Sequence, residues 1–128
     1  MRLESELMRG AGPVAVLKLL DRKEMYGYEL AEALASRSDG VLDMGQSTLY
    51  PLLYNLEAKG LIESDRRTGD NGRERKYYRL TSKGRKRLAA DMDAWKRLVA
   101  AMSAIGVLNP APQGAPIVAG LGARGVRP

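Results

Sequence analysis

Ten cations gather in one stretch of this chain, between Ile62 and Ala90: Arg66, Arg67, Arg73, Arg75, Lys76, Arg79, Lys83, Arg85, Lys86 and Arg87. Four carboxylates sit among them, Glu63, Asp65, Asp70 and Glu74, so the stretch carries +6, the formal net charge of the whole chain. The remaining residues balance at 11 basic against 11 acidic. Guanidinium and ammonium groups at that density suit a polyanion such as nucleic acid, although the same charges also make an ordinary solvated face. Just upstream lies different chemistry: Gln46, Ser47, Thr48, Tyr50, Tyr54 and Asn55. These uncharged groups can bond to base edges and phosphates, and tyrosine rings can pack on sugars or thymine methyls. A plain solvent face, with tyrosines covering the edge of a core, is the alternative.

The chain has no histidine and no cysteine. The commonest general base, the thiol nucleophile and the usual zinc ligands are therefore missing. The carboxylates are scattered, with no nucleophile, base and orienter in a recognisable constellation. The expectation is a protein that is not an enzyme and holds neither metal nor cofactor. No apolar run is long enough to span a bilayer, and the start shows no charged head followed by an apolar stretch. No membrane association is expected, and the expected location is the cytoplasm.

The elements that must position these groups follow from periodicity. At 128 residues the chain suits one domain with tails. Gly12-Pro13 marks the expected start of a strongly apolar first helix containing Val14, Val16, Leu17, Leu19 and Leu20, ending near Lys23. A second helix opens at Tyr26-Gly27-Tyr28-Glu29-Leu30 and runs to about Arg37, with Leu30, Ala31 and Leu34 on its apolar face. Leu49, Leu52, Leu53 and Leu56 then recur at helical spacing, and Gly60 stands where a glycine stop belongs. Pro51 suits a first turn, which places the start of this third helix near Ser47 or Thr48, acting as caps. On a helical wheel Ser47, Pro51, Tyr54, Asn55 and Ala58 oppose the leucines, with Gln46 and Tyr50 on the flank.

Leu61–Arg67 and Glu74–Leu80 read as two strands, the second with Tyr78 and Leu80 on one face and Tyr77 and Arg79 on the other. The turn-rich segment from Thr68 to Arg73 joins them. Thr81-Ser82 caps a long helix to about Ile105. Within it Leu88, Met92, Trp95, Val99 and Met102 are spaced 4, 3, 4, 3, the seam of a coiled coil. Residues 106–128, rich in Gly, Pro and Ala, read as a disordered tail.

Helix, helix, helix, hairpin, long helix is a mainly α fold with a small β-hairpin. It predicts a winged helix-turn-helix DNA-binding domain over residues 1–81 and a dimerisation helix over 82–105. The third helix would enter the major groove, placing Gln46, Ser47, Thr48, Tyr50, Tyr54 and Asn55 at DNA. The hairpin would bring Arg73, Arg75 and Lys76 to the backbone or a minor groove, although wing charges also guard a strand edge against pairing. Tyr26 can reach a phosphate at the second helix's N-terminus, whereas Tyr28 reads as core. The seam predicts a homodimer through Leu88, Met92, Trp95, Val99 and Met102, since nothing else in the chain covers it. Trp95, with Met92 and Val99, serves either as packing or as one wall of a small-molecule pocket. Against double-stranded DNA as the partner stands a winged-helix module that docks proteins instead.

Four segments carry a family resemblance: Tyr26-Gly27-Tyr28-Glu29-Leu30, Ser47-Thr48-Leu49-Tyr50-Pro51-Leu52-Leu53, Leu56-Glu57-Ala58-Lys59-Gly60-Leu61-Ile62, and Arg75-Lys76-Tyr77-Tyr78-Arg79-Leu80-Thr81 with Lys83-Gly84. In this order, spanning Val14 to Leu88, they resemble the PadR family of bacterial and archaeal transcriptional regulators. The resemblance is to the short subfamily, with a single helix after the wing. It implies a dimer, a palindromic operator and usually repression. Some short members bind planar aromatic compounds between paired tryptophans at the dimer interface, which draws attention to Trp95 as part of an effector site. Two features depart from the pattern: the helix-breaking Gly10-Ala11-Gly12-Pro13 and the Gly/Pro-rich tail.

Overall fold

The computed structural model describes residues 3–108, and its first helix is longer than the glycines and proline suggest. Helix α1 spans Ser5–Arg22, with Pro13 inside it. Proline removes one intrahelical donor, and packing holds the turns on either side. Met8 is buried, and at Gly12 the missing Cβ leaves room for the Leu52 side chain, whose Cδ1 would lie 2.8 Å from such an atom. Gly12 therefore marks a helix–helix contact, not a helix boundary.

A two-residue strand follows, β1 (Met25–Tyr26), then α2 (Gly27–Arg37), α3 (Gln46–Ala58), β2 (Ile62–Thr68), β3 (Glu74–Leu80) and α4 (Ser82–Ala104). The expected two-stranded hairpin is thus a three-stranded antiparallel sheet in the order β1-β3-β2. Strand β1 is too short to show a period of two, and only its pairing of Met25 with Tyr78 and Tyr26 with Tyr77 makes it a strand. Tyr78 and Leu80 point into the core while Tyr77 and Arg79 face outward, as the alternation predicts. The wing turn closes through the Gly69 N–H donating to the Arg73 carbonyl at 2.8 Å, with Gly72 at φ +77° supplying the left-handed residue.

Helix α3 begins at Gln46 behind Gly45, one residue before the expected start, and no side chain caps it. Ser47 and Thr48 are therefore not caps, and both are exposed. Pro51 falls in the second turn and denies the Ser47 carbonyl its usual donor. At the other end Gly60 is left-handed at φ +75° and the Leu61 N–H donates to the Leu56 carbonyl at 3.0 Å, the closure expected of a glycine stop.

The core gathers Val16, Leu17, Leu30, Leu49, Leu53 and Ile62, each almost wholly buried. Tyr28, read from sequence as core, is instead 58% exposed. Leu30 and Leu34 already fill the inward face of α2, which turns Tyr28 outward, where its hydroxyl meets Glu32.

The chain divides into two compact units, Met1–Asp93 and one beginning at Ala94, so the first half of α4 belongs with the winged helix. Thr81 caps that helix by accepting from the Gly84 N–H at 2.9 Å. Its hydroxyl hydrogen is shared between the carbonyls of Gly60 and Leu61, at 2.7 and 3.0 Å. Leu88, expected in the dimer seam, is only 3% exposed and belongs to this unit's own core. In the second unit Trp95, Leu98 and Val99 are exposed on α4, and the chain turns after Ala104. Of the expected tail, residues 109–128 lie outside the described residues. Among the described residues, no helix is long and apolar enough to cross a membrane.

At Gly84 helix α4 presses on the entry to β2, since an added Cβ would overlap the Leu61 carbonyl. Gly84→Ala is expected to cost about 1–3 kcal/mol or more, because backbone must yield. Urea unfolding followed by circular dichroism checks this, and a wild-type midpoint would show that the contact is not tight.

Candidate nucleic-acid interface

The buried leucines of α3 leave one face in water. Gln46, Ser47, Thr48, Tyr50, Tyr54 and Asn55 are all exposed, Tyr54 at 77%. Tyr50 is the exception in kind, because its ring end rests on the start of α2. The Cβ that Gly27 lacks would lie 2.5 Å from the Tyr50 hydroxyl oxygen. Tyr50 therefore braces the two helices as well as facing outward. Ser47, Thr48 and Asn55 also border a cleft of about 820 Å³ whose apolar lining includes Met8, Leu17, Leu52 and Leu56.

The basic stretch is less uniform than its composition. Six of its ten cations are ion-paired: Arg66 with Glu74, Arg67 with Glu24 and Asp65, Lys76 with Glu57, Arg79 with Glu63 and Asp65, Arg85 with Asp21, and Arg87 with Asp91. Among the described residues the other four, Arg73, Arg75, Lys83 and Lys86, make no ion pair. Arg73 is exposed at the wing turn, where the Asn71 side chain accepts from its backbone N–H at 3.0 Å. Arg75 lies over the Tyr26 ring, 4.5 Å from its centroid. Lys76 is less available than its sequence position suggests, since Glu57 on α3 holds it at 3.5 Å. The other Glu57 oxygen accepts from the Ser64 hydroxyl at 2.6 Å, so this carboxylate ties α3 to both long strands.

The densest pairing crosses the outer face of the sheet. Arg67 donates to both oxygens of Glu24, at 2.6 and 2.8 Å, and to Asp65 at 3.0 Å. Arg79 donates to Asp65 at 2.7 Å and to Glu63 at 3.0 Å. The hydrogen bonds from Arg67 hold the Glu24 carboxyl below its ordinary range, and those from Arg67 and then Arg79 do the same for Asp65. Both guanidiniums are in turn held more firmly protonated, Arg67 chiefly by Glu24 and Arg79 chiefly by Asp65. Burial, first of all, raises the Tyr78 hydroxyl.

The sequence points to an exposed α3 face and to the wing arginines, but not to the contacts of Glu24, Glu57 and Gly27 or to the exposure of Leu98. Glu24 and Arg67 are 43 positions apart, and no local pattern links them. Gly27 was visible only as part of the Tyr-Gly-Tyr segment. Leu98 falls between the seam positions of α4 and carried no signal beyond being apolar. Among the described residues no group of three or more acidic side chains could hold a metal ion.

This geometry has close counterparts. The chain belongs to the transcriptional regulator PadR-like family, whose model matches residues 16–90. It is 37% identical over 93 residues to the transcriptional regulator Rv3488 of Mycobacterium tuberculosis, covering 73% of this chain and 83% of that protein. Its fold matches a transcriptional regulator from Clostridium thermocellum with a TM-score of 0.72 at 27% identity, covering 79% of this chain and 98% of that one. It also matches Bacillus subtilis PadR, solved in complex with operator DNA, with a TM-score of 0.58 at 26% identity, covering 62% and 45% of the two chains. The family and these neighbours are transcriptional regulators, not enzymes.

The carboxylates of the network give a pH test. Their folded pKa values are lowered, so their stabilising contribution is present above the ordinary carboxylate range, about pH 4, and is lost as pH falls through the lowered values. Arg67→Ala should return the Glu24 midpoint to its ordinary range and move Asp65 only partway, because Arg79 still donates to it. Carboxyl-carbon NMR titration reads both, and unmoved midpoints would show that the pairing does not persist in solution.

Proposed function

We propose that this protein binds an operator duplex in the cytoplasm as a homodimer and represses transcription there. The α3 face, with Gln46, Ser47, Thr48, Tyr50, Tyr54 and Asn55, reads the major groove, and Arg73 and Arg75 of the wing hold the backbone. The observation that carries this reading is the pairing pattern. Among the described residues the wing keeps Arg73 and Arg75 out of ion pairs while most neighbouring cations are engaged, and the exposed face of α3 is polar without charge. Phosphates fix register and uncharged side chains read base edges, so this division of labour suits duplex DNA. The Bacillus subtilis neighbour bound to operator DNA supports it.

A palindromic operator follows from two-fold pairing. The exposed apolar strip of α4, with Trp95, Leu98, Val99 and half-buried Met102, is the surface for the second copy, and linking two half-sites raises affinity. Release by a small molecule at Trp95 and Val99 completes the reading. Trp95 is 38% exposed, enough ring surface for a planar ligand.

Selection of bound duplexes from a random pool, followed by binding across a salt series, tests the DNA reading. A recovered inverted repeat is expected. Each lost phosphate contact should flatten the log–log salt slope by about 0.9. Arg73→Ala should do so and weaken all duplexes alike, whereas Arg67→Ala and Arg79→Ala should leave the slope unchanged. An unchanged slope for Arg73→Ala removes the wing from the interface.

The dimer is tested separately by sedimentation. Leu98→Asp puts a charge into the apolar strip and should give a folded monomer with weaker operator binding. A dimer that survives the substitution would place the interface elsewhere.

A further inference from the structure

The outer face of the sheet is built in three rows across the strands. Arg67 on β2 lies opposite Arg75 on β3; Asp65, Tyr77 and Tyr26 form the next row; Glu63 and Arg79 form the last. Two arginines directly opposite each other repel, so this register needs a device that separates their charges. Each guanidinium instead leans diagonally onto the ring of the neighbouring strand. Arg67 lies 4.8 Å from the Tyr77 centroid, and Arg75 lies 4.5 Å from the Tyr26 centroid. The two rings meet edge to face, 5.4 Å apart and inclined at 68°. The result is a ladder running Arg67, Tyr77, Tyr26, Arg75. Its two ends differ. Arg67 is neutralised by Glu24 and Asp65, and among the described residues Arg75 makes no ion pair.

We propose that Tyr26 acts on DNA through Arg75: its ring, backed by Tyr77, is the platform that aims the ladder's one unneutralised guanidinium at a backbone phosphate. This makes Tyr26 and Tyr77 positioning residues and takes the work of Tyr26 away from its hydroxyl. A guanidinium held on a ring loses less freedom when it meets its anion, and the ring face leaves its edge N–H donors pointing outward. The carboxylates at the Arg67 end anchor the ladder without competing for Arg75. The proposal rests on the DNA-binding reading above and adds how the wing arginine is held.

The test uses the full chain, a random-sequence duplex and a salt series. Tyr26→Phe keeps the ring and should match wild type in affinity and slope. Tyr26→Ala should weaken binding about two- to fivefold, and in an Arg75→Ala background the same change should have no further effect. Tyr26→Leu keeps apolar cover without a π face and repeats the comparison where Tyr26→Ala does not fold. A loss with Tyr26→Phe equal to that with Tyr26→Ala would return the role to the hydroxyl. An undiminished Tyr26→Ala effect without Arg75 would show a merely structural role. Either result overturns the proposal. The DNA-free protein supplies a second readout: Arg75 side-chain protons shifted upfield by the ring in wild type and Tyr26→Phe, but not in Tyr26→Ala. Ordinary Arg75 shifts in wild type would overturn the ladder whether or not DNA binds. Ladder shifts in a protein that binds no duplex would overturn the DNA reading itself, and the proposed role of Tyr26 with it.

Discussion

Burial of Leu49, Leu53 and Leu56 along one side of α3 is the constraint on which the rest of the interface depends. A helix that commits that stripe to the core has no freedom to rotate, so its polar residues must face water. The same burial carries into the sheet. Gly60 turns the chain at the helix end, and Leu61 and Ile62 immediately enter the core, setting the start of the wing. Gly84 then lets α4 close on the Leu61 carbonyl, locking the hairpin from its other end. The helix face and the wing are thus fixed relative to one another because their buried residues share one core.

Electrostatics works on that surface by subtraction. A wing carrying this many cations would repel itself, and the fold answers with carboxylates from four places: Glu24 before β1, Glu57 on α3, Glu63 and Asp65 on β2, and Glu74 on β3. These pairs are largely exposed, and exposed pairs contribute little stability one by one. Their larger effect is on geometry and on the count of charges left over. Under the proposed reading, cations already satisfied within the chain release few counterions on meeting a phosphate, so affinity falls to the few that are not. Net charge is therefore a poor measure of this protein's grip on a polyanion, and the pairing pattern is a better one.

Legibility in the sequence followed the range of the interactions involved. The α3 leucines, the Gly60 stop, the alternation of Tyr77 to Leu80 and the Thr81 cap are set by contacts within a few residues, and all were readable. Strand β1 was not, because two residues have no period and only Tyr77 and Tyr78, far along the chain, define it. The Gly12-Pro13 pair misled for a related reason. Local propensity says break, while burial of Met8 and the close approach of Leu52 hold the helix through it. Tyr28 failed in the opposite sense, since an aromatic in a helical segment reads as core until its neighbours have filled the inward face.

By itself, then, the sequence determined the order of the four helices and the two long strands, most of their inward residues and the family, because hydrophobic periodicity and turn chemistry are local and additive. Tertiary structure alone decided which charges remain free, which ring each arginine leans on, and that Leu88 turns inward while Trp95, Leu98 and Val99 stay exposed on α4. Ion pairs and ring contacts act over a few ångströms in space and are indifferent to separation along the chain. Only the folded sheet could bring Glu24 to Arg67 and Tyr26 to Arg75.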